Sequence, residues 1–235
     1  MKRYRFSLIV LLCCTCLACN DFLTEYSHDQ AYVQSYSDLD ELIIGSGYMK
    51  CAGTYDYTYY STAKETYYPY VHFMADETEV RNTGTYDYYG ESFLKMFYGF
   101  YTWQKDVDKD HEGTVGWTEN QDWINLYKHI NITNIILSQI DNQTIQTEND
   151  QRNVNRIKGE AHFLRGAYYF VLANLYGKPY SSISAKTDLA VPIKLTENIE
   201  DKVYTRATVE KTYEQVLEDL LTAEKHLKGQ SRKSV

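Results

Sequence analysis

Apolar positions between Arg152 and Tyr176 recur every three or four residues, which is the spacing of one face of an α-helix. The residues on this face are Val154, Ile157, Ala161, Leu164, Tyr168, Val171 and Leu175. A second stripe consists of small residues seven positions apart, namely Gly159, Gly166 and Ala173. Because small residues let another helix approach closely, the pattern predicts a buried helix at the centre of an all-helical array. Gly177 is expected to cap this helix with a positive φ angle, and Pro179 prevents its continuation.

The same periodicity predicts a helix on either side of the central one. The first of these helices is predicted over Trp123–Ile140. Its apolar face includes Asn134, whose buried amide would need hydrogen-bond partners and is expected to bond a neighbouring turn. Residues 181–206 are predicted to be a connecting segment. A helix then follows over Val209–Leu227, for which Thr208 is the expected N-cap. The side chains expected to point inward from it are Tyr213, Val216, Leu217, Leu220 and Leu221.

Two further helices are predicted nearer the N-terminus. The first covers Ser37–Met49, where Ser37 is the expected N-cap and Asp40 stands three residues later, as in a capping box. The second covers Glu91–Lys105 and carries aromatic residues along one side. Because the predicted elements are helices, the expected fold class is all-α.

The first residues have the pattern of an export signal. Three basic residues precede an apolar run over residues 6–18, which is too short for a membrane span of ~20 apolar residues. Cys19 follows the small Ala18 and precedes polar chain, as at the junction where a lipoprotein is cleaved and acylated. We therefore expect a lipoprotein signal peptide over residues 1–18 and lipidation of Cys19. Ordinary secretion with cleavage nearby is the alternative.

Cleavage before Cys19 removes three basic residues and no acidic one, so the formal net charge falls from −8 to −11. Such an acidic chain is not expected to bind the phosphate backbone of a nucleic acid. Removal of the leader also leaves Cys51 as the one thiol besides the lipidated cysteine. Stability must therefore come from packing rather than from an intramolecular disulfide.

Tyrosines crowd the stretch from Tyr48 to Tyr89, which is rich in Gly, Thr and Asp and shows little helical periodicity. One interpretation is a long irregular segment whose tyrosines pack over the helices. The other is a sugar-binding surface, because an aromatic ring stacks on the apolar C–H face of a pyranose while polar groups bind its hydroxyls. The residues themselves are compatible with both interpretations.

An acidic stretch over Asp108–Glu119 partly matches the calcium-binding loop of an EF-hand. Asp108, Asp110 and Gly113 stand at the expected positions, but Glu112 occupies one where a shorter side chain is usual. Such matches arise by chance in acidic loops, so a solvated loop is favoured over a calcium site. No bound metal or cofactor is predicted.

Several segments resemble the SusD/RagB family of surface glycan-binding lipoproteins of Bacteroidetes. They are CNDFL from residue 19, SYSDLDELIIGS from 35, VHFMADE from 71, W-x-x-L-Y-x-x-I-x-x-x-N from 123, GEAHFLRGAYYFVLANLYG from 159 and LAVPI from 189. The resemblance implies a tetratricopeptide-type helical array with long irregular tyrosine-rich loops. It also implies a lipid-anchored, cell-surface-facing protein of the outer membrane, which captures oligosaccharide for a SusC-like TonB-dependent transporter.

The resemblance also bears on the binding site and on the extent of the domain. In the family, the motif matched by residues 71–77 precedes a loop near the glycan-binding face. By position alone, this assigns ligand binding to Arg81, Asn82, Tyr86, Tyr88 and Tyr89. The likeness covers nearly the whole chain but only about the first half of a typical family member. Residues 19–235 are therefore expected to form an incomplete, truncated N-terminal helical domain.

Two other function classes compete with glycan capture. A tetratricopeptide-type scaffold that binds proteins and no sugar is compatible with the helices, and only the tyrosine-rich loops argue against it. A glycoside hydrolase would need two carboxylates roughly 5–10 Å apart on either side of a scissile bond. Asp76, Glu77 and Glu79 stand together on one short segment and do not meet that requirement. No catalytic residue is predicted, and the protein is not expected to be an enzyme.

Overall fold

A computed structural model describes residues 33–49, 74, 76, 99–100, 102–105 and 121–230. Contacts divide the chain into two units, one made of Met1–Gln34 with Asn198–Lys202 and the other of Ser35–Glu197 with Val203–Val235. The helices described below belong to the second unit. Within the described ranges the regular structure is helical and strand pairing is limited to one isolated bridge, so the expected all-α class is confirmed.

Helix α1 covers Tyr36–Leu42 and continues into a π-helical turn over Ile43–Gly47. Its capping box consists of Ser35 and Asp38, two residues before the predicted pair. Ser37 is not the cap; it lies inside the first turn, and its backbone N–H donates to the Ser35 hydroxyl at 3.2 Å. The reciprocal bond runs from the Ser35 backbone N–H to Asp38 Oδ2 at 3.0 Å, so the earlier pair satisfies both donors of the helix start.

Helix α2 covers Gln121–Gln139 and ends in a 3₁₀ turn over Ile140–Asn142. This agrees with the predicted helix to within two residues at each end. The apolar side chains that α2 and its final turn bury fully are Leu126, Ile130, Ile136 and Ile140. Trp123 and Tyr127 of the same helix are half-buried.

Helix α3 covers Glu148–Tyr176 and is the predicted central helix. It begins four residues before Arg152, because Thr147 and Asp150 form a capping box ahead of the apolar pattern. The predicted positive φ of Gly177 is wrong: this residue is extended, with φ −88° and ψ 168°. A side chain there would nevertheless clash, because a Cβ would lie 2.5 Å from the Ala173 carbonyl oxygen and 3.3 Å from Ala190 Cα. Glycine is required at this helix end for space.

Helix α4 covers Val209–Leu227, as predicted, and Thr208 caps it by accepting a hydrogen bond from the Lys211 backbone N–H. The residues it buries are Val209, Thr212, Val216, Asp219 and Ala223. Tyr213 and Leu220 are half-buried. The inward placement of Leu217 and Leu221 is wrong, since their side chains are 58% and 55% exposed.

The small-residue stripe of α3 is where α4 makes its closest approach, and the two helices run antiparallel. A Cβ on Gly159 would lie 2.7 Å from Leu227 Cγ, and one on Gly166 would lie 3.2 Å from Asp219 Cβ. Real Cβ atoms essentially never lie within 3.0 Å of such a neighbour, so a side chain at Gly159 requires movement. At Gly166 the contact is tighter than nine in ten real Cβ contacts, and the neighbour would have to give by a few tenths of an ångström. The predicted close helix packing is therefore confirmed.

Between α3 and α4 the chain forms an extended connection that packs on the helices. Ala190 and Val191 are fully buried, and Leu189 forms an isolated antiparallel bridge with Thr208. The Ala190 backbone N–H donates to the carbonyl oxygen of Ala207 at 2.8 Å. The connecting segment predicted over residues 181–206 is therefore present, and it includes a short extended piece at Leu189 and Ala190.

Only the end of the helix predicted over Glu91–Lys105 lies in the described part of the chain. Gly99 and Phe100 are helical and Phe100 is buried, but Thr102 and Trp103 form a turn. Trp103 has a positive φ of 56°, which is incompatible with a continuing α-helix. The predicted end at Lys105 is therefore too late.

Candidate functional site

The residues predicted to bind a glycan lie outside the part of the chain that the structure describes. These residues are Arg81, Asn82, Tyr86, Tyr88 and Tyr89. The predicted lipidation site Cys19 and the acidic stretch 108–119 also lie outside the described part of the chain. All of these assignments stay predictions. Of the three neighbouring acids weighed for hydrolysis only Asp76 is described, and it is exposed. Across the described ranges, no group of three or more His, Cys, Asp or Glu side chains could hold a metal ion.

A buried network of polar side chains centred on Arg165 joins α2, α3 and α4. Its guanidinium donates from Nε to Asp219 Oδ2 at 3.0 Å and from Nη2 to Asp219 Oδ1 at 2.7 Å. The Nη1 group donates to Asn134 Oδ1 at 3.0 Å. His162 Nδ1 lies 2.8 Å from Asp219 Oδ1, and Gln215 Nε2 donates to Asp219 Oδ2 at 3.1 Å. The bidentate contact with Asp219 joins α3 to α4, and the bond to Asn134 joins both to α2.

The network is closed to a ligand. The Arg165 and Asp219 side chains are 9% and 1% exposed, so neither can reach a sugar from within the core. Burial alone would raise the pKa of Asp219, but hydrogen bonds from His162 and Arg165, and the charge of Arg165, hold that pKa below its ordinary value. The carboxylate is therefore kept ionised, and its role is to position helices.

Sequence reasoning missed this network and a second ion pair, between Arg156 on α3 and Asp40 on α1. Arg156 Nη2 donates to Asp40 Oδ1 at 2.7 Å, and Nη1 donates to Glu160 at 3.1 Å. Asp40 was predicted to belong to a capping box, whereas it links α1 to the central helix. An arginine on the inward side of a predicted helix indicates a buried ion pair. The spacing of apolar residues does not predict which acidic residue is its partner.

Side chains of α2 and α3 hold the connecting segment by its backbone. Asn134 Nδ2 donates to the carbonyl oxygen of Lys194 at 3.0 Å. The Tyr169 hydroxyl donates to the same carbonyl and accepts from the Lys194 backbone N–H, both at 2.8 Å. Tyr127 donates to the carbonyl oxygen of Pro192 at 2.6 Å. Partners for the buried Asn134 amide were expected in a neighbouring turn, and they lie in this extended segment and on Arg165.

A row of aromatic rings crosses the contact between α2 and α3. Trp123 lies 4.8 Å from Tyr127 and 5.1 Å from Tyr176 between ring centroids, and Tyr127 lies 6.5 Å from Tyr169. Beside this row Asp122 is only 3% exposed, and within the part of the chain that the structure describes its Oδ1 atom has no hydrogen-bond partner. Burial raises the pKa of Asp122 to about 8, so its carboxyl group is largely protonated at neutral pH.

A second aromatic group lies on the surface where α3 ends and α4 begins. Tyr213 lies 6.1 Å from Phe170 and 5.3 Å from Tyr180 between ring centroids, with the rings tilted by 90° and 67°. Phe170 and Tyr180 are 47% and 55% exposed. This is an exposed aromatic surface in the described part of the chain, and it stands apart in sequence from the predicted binding loop.

The chain matches a family model over most of its length. The SusD-like_3 model, described as "Starch-binding associating with outer membrane", matches residues 64–235. The helices and the clamped connecting segment define an all-helical array of the SusD type. The chain belongs to the SusD-like family. No curated protein matches it.

Solved structures share the fold at low sequence identity. A putative sugar binding protein from Bacteroides vulgatus ATCC 8482 matches with a TM-score of 0.57 and 22% identity, covering 87% of this chain and 40% of that one. A SusD-like carbohydrate binding protein from the same organism matches with a TM-score of 0.58 and 20% identity, covering 86% and 37%. A SusD superfamily protein from Bacteroides thetaiotaomicron VPI-5482 gives a TM-score of 0.51 at 21% identity, covering 82% and 37%. The chain therefore spans about two fifths of these proteins.

Proposed function

We propose that this protein is a surface glycan-binding lipoprotein that captures oligosaccharide for uptake through a SusC-like TonB-dependent transporter of the outer membrane. The observation that carries the proposal is the family match over residues 64–235, whose description joins starch binding to the outer membrane. Two structurally similar proteins are titled as sugar or carbohydrate binding, which supports the same ligand class.

The predicted binding loop supplies the chemistry that a sugar requires. Tyr86, Tyr88 and Tyr89 can stack on the apolar C–H faces of pyranose rings. Arg81 and Asn82 can donate hydrogen bonds to the hydroxyl groups at the polar edge, and the amide oxygen of Asn82 can also accept one. These roles require binding and no bond cleavage, so we propose that the protein is not an enzyme.

Anchoring is proposed to occur at the N-terminus of the mature chain. Removal of the signal peptide over residues 1–18 would expose Cys19 for acylation, and the mature helical domain, of which residues 19–235 are the N-terminal part, would begin at that residue. A diacylated cysteine supplies two chains, which suffices for stable membrane attachment where one chain is marginal. The protein would then face the cell surface beside its transporter, and its acidic mature chain gives no basis for a nucleic-acid partner.

Affinity electrophoresis of the purified chain in gels that contain members of a glycan panel tests the proposed function. Retarded migration in one or more glycans is expected for the unaltered chain. The triple replacement Tyr86→Ala/Tyr88→Ala/Tyr89→Ala should abolish the retardation, because each ring face contributes roughly 1 kcal/mol or more of contact. Tyr180→Ala is the matched control: it removes a tyrosine that is 55% exposed and lies outside the predicted binding loop in sequence, and this variant should bind as before.

Other outcomes select the competing functions. Release of shortened oligosaccharides from the glycan would identify the protein as a hydrolase. Absence of both retardation and hydrolysis would contradict sugar binding by this chain and favour a protein-interaction scaffold. Loss of binding in Tyr180→Ala but not in the triple variant would leave the function standing and move the site to the other aromatic surface.

A further inference from the structure

The tyrosine-rich stretch begins at Tyr48, directly after the π-helical turn that continues α1, and its first two residues lie in the described part of the chain. The Tyr48 backbone N–H closes this turn by donating to the carbonyl oxygen of Ile43 at 3.1 Å. The backbone of Tyr48 itself is extended, with φ −75° and ψ 132°. Single π-helical turns are rare and often occur at functional sites. The point at which the chain leaves the helices for this stretch is therefore well defined.

The Tyr168 hydroxyl group of α3 bridges the backbone on either side of Tyr48. It donates to the carbonyl oxygen of Gly47 at 2.7 Å and accepts from the backbone N–H of Met49 at 3.2 Å. Tyr168 is buried, and its ring has few rotatable bonds. One rigid side chain of the central helix therefore fixes the backbone at the first residue of the tyrosine-rich stretch.

A side chain of α2 holds the same turn from a second direction. His129 Nδ1 lies 2.8 Å from the carbonyl oxygen of Ser46. A carbonyl oxygen can only accept a hydrogen bond, so Nδ1 carries the proton and donates it. The rings of His129 and Tyr168 lie 5.7 Å apart between centroids. We name these two side chains the entry clamp, because together they hold three consecutive peptide groups at the entry to the stretch.

The next residue of α3, Tyr169, makes the same kind of contact with a different segment. Its hydroxyl group also donates to one backbone carbonyl and accepts from one backbone N–H, but both belong to Lys194 of the connecting segment. Two adjacent buried tyrosines of the central helix thus hold two different segments. Only Tyr168 holds the segment that carries the predicted binding residues.

We propose that Tyr168 and His129 are positioning residues for glycan binding, which hold the start of the tyrosine-rich stretch in the conformation required for binding. This inference rests on the proposed function, because it assumes that the stretch binds the sugar. Neither side chain is proposed to contact the sugar. A segment that is already fixed where it leaves the helices loses less conformational entropy when it binds, so its affinity is higher.

Affinity electrophoresis of the purified chain in the same glycan panel, which includes soluble starch, tests the role of Tyr168. Tyr168→Phe keeps the buried ring and removes both backbone hydrogen bonds. It should raise the dissociation constant roughly three- to tenfold for every glycan that retards the unaltered chain. Tyr169→Phe is the matched control: it removes the same two kinds of hydrogen bond from Lys194 and should bind as before. Urea denaturation should show comparable losses of stability for the two variants.

Two replacements of His129 test the second half of the entry clamp. His129→Leu removes the donor to Ser46 and should also weaken binding. His129→Asn should retain most of the affinity, because its amide nitrogen is the same number of bonds from the backbone as Nδ1 and can donate to the same carbonyl oxygen. Equal affinities for these two variants would contradict a positioning role for His129.

Hydrogen exchange at the Met49 backbone amide gives a measurement that needs no sugar. Exchange should be faster in Tyr168→Phe than in the unaltered chain and unchanged in Tyr169→Phe. Unchanged glycan binding or unchanged Met49 exchange in Tyr168→Phe overturns the inference while the unaltered chain still binds. Equal losses of binding in both tyrosine variants also overturn it, because they would reflect general destabilisation. If the unaltered chain binds no glycan in the panel, the proposed function fails and the inference fails with it.

Discussion

Asp122 is held between two opposing electrostatic effects. It lies in the first turn of α2, where the helix dipole favours a negative charge. It is also 3% exposed, one of its carboxyl oxygens has no hydrogen-bond partner among the described residues, and burial of a charge without hydrogen bonds is costly. Burial prevails and raises the pKa of this group from 3.8 to about 8. At neutral pH the folded protein therefore binds a proton that the unfolded chain has released.

This proton makes a testable contribution to stability. Between about pH 4 and about pH 8 the folded state binds the extra proton, so Asp122 should make the protein less stable as the pH rises through that range. Asp122→Asn cannot ionise. The free energy of unfolding of this variant, relative to that of the unaltered protein, should therefore rise by a few kcal/mol between about pH 4 and about pH 8. Each unit by which folding raises the pKa of Asp122 corresponds to roughly 1.4 kcal/mol. Urea denaturation at a series of pH values measures this, and a difference that does not vary with pH would contradict the prediction.

Individual buried polar residues differ in how well the sequence predicts them. Asn134 was expected to be buried and hydrogen-bonded because it interrupts an otherwise apolar stripe, and it is. Arg165 was not, since its inward position depends on Asp219, which lies 54 residues further along the chain. Periodicity is a local property, so it cannot show that two charges on different helices will neutralise each other in the core.

At the level of whole helices, the spacing of apolar residues predicted most of the structure. The bounds of α4 were predicted correctly and those of α2 to within two residues. The errors arose where apolar side chains do not mark the buried side. On α4 the buried arc includes Thr212 and Asp219, whereas Leu217 and Leu221 are exposed. Because only apolar residues were used to predict the buried face of this helix, the predicted face was displaced around the helix axis, towards solvent, relative to the observed one.

Close packing at the α3–α4 contact predicts intolerance of bulk at Gly166. A Cβ there would already lie 3.2 Å from Asp219 Cβ and 3.3 Å from Leu220 Cδ2. Gly166→Leu should therefore lower the free energy of unfolding by about 1–3 kcal/mol through overpacking. Arg152→Leu, a change to the same residue at an exposed position of the same helix, should have little effect. Equal denaturation midpoints for the two variants would show that the helices can separate without cost.

For the molecule as a whole, the fold class was easier to predict than the binding site. Helices are specified by nearby residues, so α2, α3 and α4 could each be predicted from its own segment. A sugar-binding surface depends on how irregular loops fold against one another, and no periodicity describes that. Arg81, Asn82, Tyr86, Tyr88 and Tyr89 are assigned by position in a resembling family, and they lie outside the described residues. No described helix has the length and apolar character needed to span a bilayer.

Attachment of the whole protein to the membrane is predicted to depend on a single atom, the sulfur of Cys19. The Cys19→Ala variant should move from the membrane fraction to the soluble fraction and should lose incorporation of a labelled fatty acid, because two acyl chains give stable anchoring. Cys16→Ala is the matched control: it removes a neighbouring thiol that would be cleaved away with residues 1–18, and should leave both fractionation and labelling unchanged. Membrane retention of Cys19→Ala without acyl label would show that something other than this lipid holds the protein there.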